Sequence, residues 1–189
     1  MLERLTVPTP AISLSEIKDS LGVAGHDHDQ MINDLIGAAT NVLRRWTGRE
    51  LTTTRYRLSL SGFPCYIDLP FPPLASVESI TYYDTAGVDE VMDAADYQVC
   101  KYLEVPSQIV PAPNTVWPTT QNDRIDAVQV EFLAGTSTAP PEARHFIRML
   151  VRHWYDNPSA VTSGVMTKEV EFSLRSLAAS LGTGFYADV

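Results

Sequence analysis

Two imidazoles and two carboxylates fall within one short stretch, Gly25-His26-Asp27-His28-Asp29. Side chains of this kind hold divalent metals, so a metal-dependent enzyme is the chemistry to weigh first. Ligands at i and i+2 in a turn need distant partners, and the remaining histidines are His145 and His153. A solvated turn whose aspartate caps the following helix explains the same residues with fewer requirements. His145 and His153 lie eight apart on one predicted helix, beside its apolar face, where both are expected to be partly buried and hydrogen bonded. No Gly-x-Ser-x-Gly sequence or catalytic cysteine context accompanies them, so a nucleophile and base pair is not indicated. Asp84, Asp89, Glu90, Asp93 and Asp96 surround a predicted β-turn, which a solvated loop explains better than acid–base catalysis. A glycine-rich phosphate loop is absent, and no cofactor is expected.

One charged pattern resists a bland reading. Arg144, Arg148 and Arg152 recur every four residues and stack like charges on one helix face. At that spacing each neighbouring pair costs a few tenths of a kcal/mol (about 0.2–0.5) unless acids face it. The carboxylates can come from within the fold or from an adjacent copy, and the sequence leaves both open. Contact with DNA ranks third, because the chain carries a formal net charge of −9.

The elements that position these residues begin with Ser13 and Glu16, spaced as a capping box at a helix start. Leu14, Ile17 and Leu21 then share a face, and Gly22 offers a left-handed exit. Asp27 and Gln30 repeat the start signal. Ile32, Leu35, Ile36, Ala39, Leu43 and Trp46 follow at helical spacing, and Gly48 closes this second, longer helix. From Thr52 the period changes to alternation. Strands are predicted over 56–60, 66–69, 77–84, 97–100, 108–110 and 127–132, with Thr85-Ala86-Gly87 as a hairpin turn. Prolines between them suggest edges and loops of a small antiparallel sheet or barrel.

Pro140 and Pro141 suit the first turn of a third helix, with Phe146, Ile147, Leu150 and Trp154 on its buried face. Asp156-Asn157-Pro158 ends it. Residues 159–167 read as a loop. Val170, Leu174, Leu177 and Leu181 predict a last helix, although Val170, Phe172 and Leu174 also alternate. The expected fold is therefore α+β: a helical bundle of N- and C-terminal helices with an inserted small antiparallel β subdomain. The divisions are 1–51 for the first helices, 52–133 for the β insertion, 134–181 for the later helices and 182–189 for a flexible tail.

Composition narrows the class. With 189 residues, 44% hydrophobic and 20% charged, the chain is globular and long enough for one domain with an insertion. An excess of acids opposes phosphate binding, which depends on Lys and Arg. Cys65 and Cys100 lie in separate strand-like segments without Cys-x-x-Cys spacing and are expected to be reduced, packed thiols. Met1-Leu2-Glu3-Arg4-Leu5 lacks a basic segment before an apolar run, and no stretch nears the ~20 apolar residues of a membrane helix. The reading is a soluble protein made in the cytosol, with no membrane partner.

Several segments together resemble the head–tail connector, or adaptor, family of long-tailed bacteriophages and gene transfer agents. They are Leu14-Ser15-Glu16-Ile17-Lys18 with its acidic turn and helix, and Trp46-Thr47-Gly48-Arg49. To these add Pro72-Pro73-Leu74-Ala75-Ser76-Val77 running into Ile80-Thr81-Tyr82-Tyr83-Asp84, and His153-Trp154-Tyr155-Asp156-Asn157. Val110-Pro111-Ala112-Pro113 and Trp117-Pro118 are similar to the family's proline-rich loop. The end of the chain departs: Leu177-Ala178-Ala179-Ser180-Leu181-Gly182 stands where many relatives have a Leu-Leu-x-Pro-Tyr-Arg-like stretch.

The resemblance implies a non-enzymatic, homo-oligomeric ring of about a dozen copies. It would dock beneath the portal protein, extend the DNA channel and present a surface to a stopper or tail connector protein. DNA would pass without specific binding. Arg144, Arg148 and Arg152 then become candidate contacts between copies, and Phe185 and Tyr186 candidate apolar anchors of the tail on the portal. Two other readings remain: a metal-dependent enzyme using His26, His28 and nearby carboxylates, and a β-domain protein-binding module.

Overall fold

The computed structural model describes residues 1–157 and 168–181. The chain divides into two compact units, one of residues 1–9 and 53–136, the other of 10–52 and 137–189. Both are assembled from separate stretches of sequence.

The first unit holds eight strands: β1 (Leu2–Arg4), β2 (Thr54–Leu60), β3 (Ile67–Leu69), β4 (Leu74–Tyr83), β5 (Asp89–Val91), β6 (Tyr97–Cys100), β7 (Ser107–Pro111) and β8 (Val128–Ala134). They form a five-stranded antiparallel sheet, β1-β2-β8-β4-β5, and a three-stranded one, β3-β7-β6. Alternation in β8 sets the inner face: Val128, Val130, Phe132 and Ala134 are buried, while Gln129, Glu131 and Leu133 are less so. Register places Tyr56 and Val77 opposite Phe132, and Leu58 and Ile80 opposite Val130. Ile67, Leu69 and Ile109 of the smaller sheet complete this core.

Two strands were not expected, and both are edges. β1 and β5 are three residues long and exposed throughout, so neither has a buried alternation to read. Residues 1–9, grouped above with the helices, instead join the sheet unit: Leu2, Glu3 and Arg4 pair with Leu58, Arg57 and Tyr56. Cys65 corrects another expectation. It lies in the bend before β3 and is exposed, whereas Cys100 is partly buried, and the two are not joined.

The second unit contains four described helices: α1 (Leu14–Leu21), α2 (Asp29–Thr47), α3 (Pro141–Asp156) and α4 (Lys168–Ser180). Ile32, Leu35, Ile36 and Leu43 of α2 are buried in one core with Phe146, Ile147 and Leu150 of α3. Ile17, Leu174, Ala178 and Leu181 join the same core, and Trp46 and Trp154 pack against it partly buried. The ring of Trp46 meets Phe146 edge-on at 5.7 Å. Pro140 precedes α3 and Pro141 occupies its first position, where an amide donor would have no partner. Phe172, one of the alternating residues, is on an exposed helical face. The predicted loop 159–167 falls outside the described residues.

Candidate functional site

The arginine ladder on α3 finds acids within its own unit. Ser13 caps α1: its hydroxyl accepts from the Glu16 amide, and the Glu16 carboxylate accepts from the Ser13 amide at 3.3 Å. That carboxylate also takes a hydrogen bond from the Arg144 guanidinium. Arg148 lies 4.0 Å from the same carboxylate. Arg152 pairs with Asp156 at 3.3 Å and donates to the Ser20 carbonyl at 2.9 Å. The Ser13 backbone amide is the leading reason that the Glu16 carboxyl titrates below its usual range; burial opposes this, and the Ser13 hydroxyl and Arg144 add to it.

The His26–Asp29 turn is built around one carboxylate. Asp29 accepts from Lys18 at 2.5 Å and lies 2.8 Å from His26 Nδ1, and these contacts, Lys18 first, lower its pKa. Lys18 also donates to the Gly25 carbonyl. The expected cap by Asp27 and Gln30 is therefore corrected. His28 occupies the N-cap position without a side-chain hydrogen bond, Asp27 is exposed, and Gln30 donates forward to Asp34. The physical reason is that Lys18 and His26 draw Asp29 into the turn and α2 begins there.

His26 and His28 have separate neighbours, the second meeting the Tyr155 ring edge-on. Among the described residues no group of three or more His, Cys, Asp or Glu side chains is placed to hold a metal ion. His145 is exposed, not partly buried. His153 is partly buried, and its buried Nε2 has no hydrogen-bond partner among the described residues. Two of the loop acids shape turns: Asp84 accepts from the Ala86 and Val88 amides, and Asp93 from that of Ala95.

Trp46-Thr47-Gly48-Arg49 is a helix terminus that gathers other elements. Gly48 adopts φ 65° and its amide donates to the Arg44 carbonyl, closing α2. Thr47 donates to the Leu43 carbonyl, and Arg49 reaches the Leu181 carbonyl at the end of α4. The Arg175 guanidinium of α4 stands over the Trp46 ring at 5.5 Å. Arg44 pairs with the buried Glu50 at 3.3 Å. The motif is architectural.

Sequence reasoning missed two surface features. In the sheet unit, Val91 and Val116 are 71% and 88% exposed beside a cleft of about 320 Å³ walled by Tyr82, Asp93, Asp96 and Trp117. In the helical unit, Arg148, Met149, Arg152 and His153 line a cleft of about 390 Å³. Periodicity marks which residues face a core but carries no record of a concave surface. Phe185 and Tyr186 lie outside the described residues.

A family model for phage gp6-like head-tail connector proteins matches residues 11–109, just over half of the chain. Solved structures share the fold. A chain from the neck of an empty gene transfer agent particle, computed with C6 symmetry, is 20% identical with a TM-score of 0.77. Another, from the virion of a native gene transfer agent particle, is 21% identical with a TM-score of 0.76. A third, from the neck of a native particle computed with C12 symmetry, is 21% identical with a TM-score of 0.74. Each likeness covers 97% of this chain and 96% of the other. No curated protein matches the sequence.

Proposed function

The chain belongs to the phage gp6-like head-tail connector family, and from that premise we propose that it is a structural adaptor of a phage-like particle. Copies form a ring beneath the portal, extend the DNA channel and dock the next stopper or tail connector protein. The observation that carries this reading is the fold kinship, over 97% of the chain, with a chain of a particle neck computed with C12 symmetry. About a dozen copies in a cyclic ring accord with that kinship and with the preference of homo-oligomers for closed symmetry. In this reading the helices of both chain ends make one bundle, and the sheet unit is the part inserted between them.

Electrostatics supports a channel role. A chain of net charge −9 repels phosphates, so DNA slides past instead of being held. The virion neck is then its site of action, and no catalysis is involved.

The test is assembly. Purified chain, mixed with the portal of the same particle, is expected to give rings by negative-stain microscopy and light scattering. Particles lacking the chain are expected to package DNA and lose it. A chain that stays monomeric beside portal, or infectious particles without it, would refute the reading.

A further inference from the structure

The cleft on α3 has an unbalanced charge in an otherwise acidic protein. Among its described lining residues Arg148 and Arg152 stand against the single carboxylate of Asp156, which leaves one positive charge over. Glu16 is held by Ser13 and Arg144, and Arg148 at 4.0 Å is at the outer limit of an ion pair. The Arg152–Asp156 pair is about half exposed, and such i,i+4 pairs contribute little and exchange partners readily. Met149 adds an apolar wall, and His153 lines the cleft beside it.

The complementary surface lies elsewhere in the same sequence. β5 is a sheet edge with β4 as its one neighbour, and it carries Asp89 and Glu90, both exposed. Val88 and Val91 flank them, 51% and 71% exposed. Acids beside apolar side chains on an open edge match guanidiniums beside a methionine in a cleft.

We propose that the β4–β5 hairpin of a second copy docks in the α3 cleft, Asp89 meeting Arg148 and Arg152 while Val91, on the same face of β5, covers Met149 and Glu90 adds negative charge at the rim. Two different patches face one another, so the contact is heterologous and repeats around a closed ring. The inference rests on the ring reading above and names the surfaces that would make the ring.

The test is a charge swap in the full-length chain, read by light scattering and negative-stain microscopy with portal present and circular dichroism to verify folding. Arg148→Glu with Arg152→Glu is expected to weaken self-association at least tenfold, and Asp89→Lys with Glu90→Lys likewise. Combining all four changes is expected to restore assembly to within a few-fold of the natural chain. The milder pair Arg148→Ala and Asp89→Ala, measured singly and together, should give less than additive losses if the groups touch. Rings from both reversed variants at natural strength overturn the docking and leave the ring reading standing. Loss in each reversed variant without recovery in the combination also overturns it. A natural chain that never rings removes both readings.

Discussion

The Arg144 guanidinium donates to the Glu16 carboxylate across 128 positions of sequence, tying α3 to the first turn of α1. One side chain thereby serves two tasks, since Glu16 also completes the capping box with Ser13. Glu16→Ala is expected to lower stability by about 1 kcal/mol, mostly through the cap, because a partly solvated ion pair contributes little. Urea unfolding of the two chains measures it.

The same carboxylate has a pH signature. Its folded pKa lies below the unfolded value, the Ser13 amide being the first cause. Its stabilisation is therefore complete above the ordinary glutamate range and is lost as pH falls through the lowered folded value. The stability gap between the natural chain and Glu16→Gln should close over that acid interval. A gap unchanged down to strongly acidic pH would contradict the assignment.

Gly48 closes α2 with a left-handed backbone. Gly48→Ala is expected to cost about 1 kcal/mol and Gly48→Asn less, since asparagine tolerates that conformation. Thermal melts followed by circular dichroism would show the order.

Arg49 anchors the end of α4 through the Leu181 carbonyl. Arg49→Ala should speed hydrogen exchange in residues 168–181 while exchange in β2 and β8 stays as before. Equal acceleration in both units would mean the contact does not act locally.

The thiols differ in exposure. Cys65 should react with an aromatic disulfide reagent under native conditions well before Cys100, and Cys65→Ser should remove the fast phase. A single common rate would contradict the burial of Cys100.

Much of the helical unit is legible in the sequence, because burial on a helix repeats every 3.6 residues and caps have local chemistry. Ile32 to Leu43 and Phe146 to Leu150 record their buried faces directly. The central strands are legible for the same reason, their alternation being a local record of two unlike environments. The likeness of Trp46-Thr47-Gly48-Arg49 to a connector family was readable too, though its work as a junction with α4 was not.

What the tertiary structure alone decided involves choice among distant partners. β1 and β5 are exposed on both faces, so backbone pairing with β2 and β4 defines them and side-chain pattern does not. The sequence offered Arg144, Arg148 and Arg152 several acids. Which ones they meet depends on how α1 lies against α3, and only folding brings Glu16 there. Likewise Lys18 selects Asp29 over Asp27, because its ammonium reaches one carboxylate of the turn and thereby sets where α2 begins. Periodicity is inherited from each residue's own burial; partnership is a property of two segments in space.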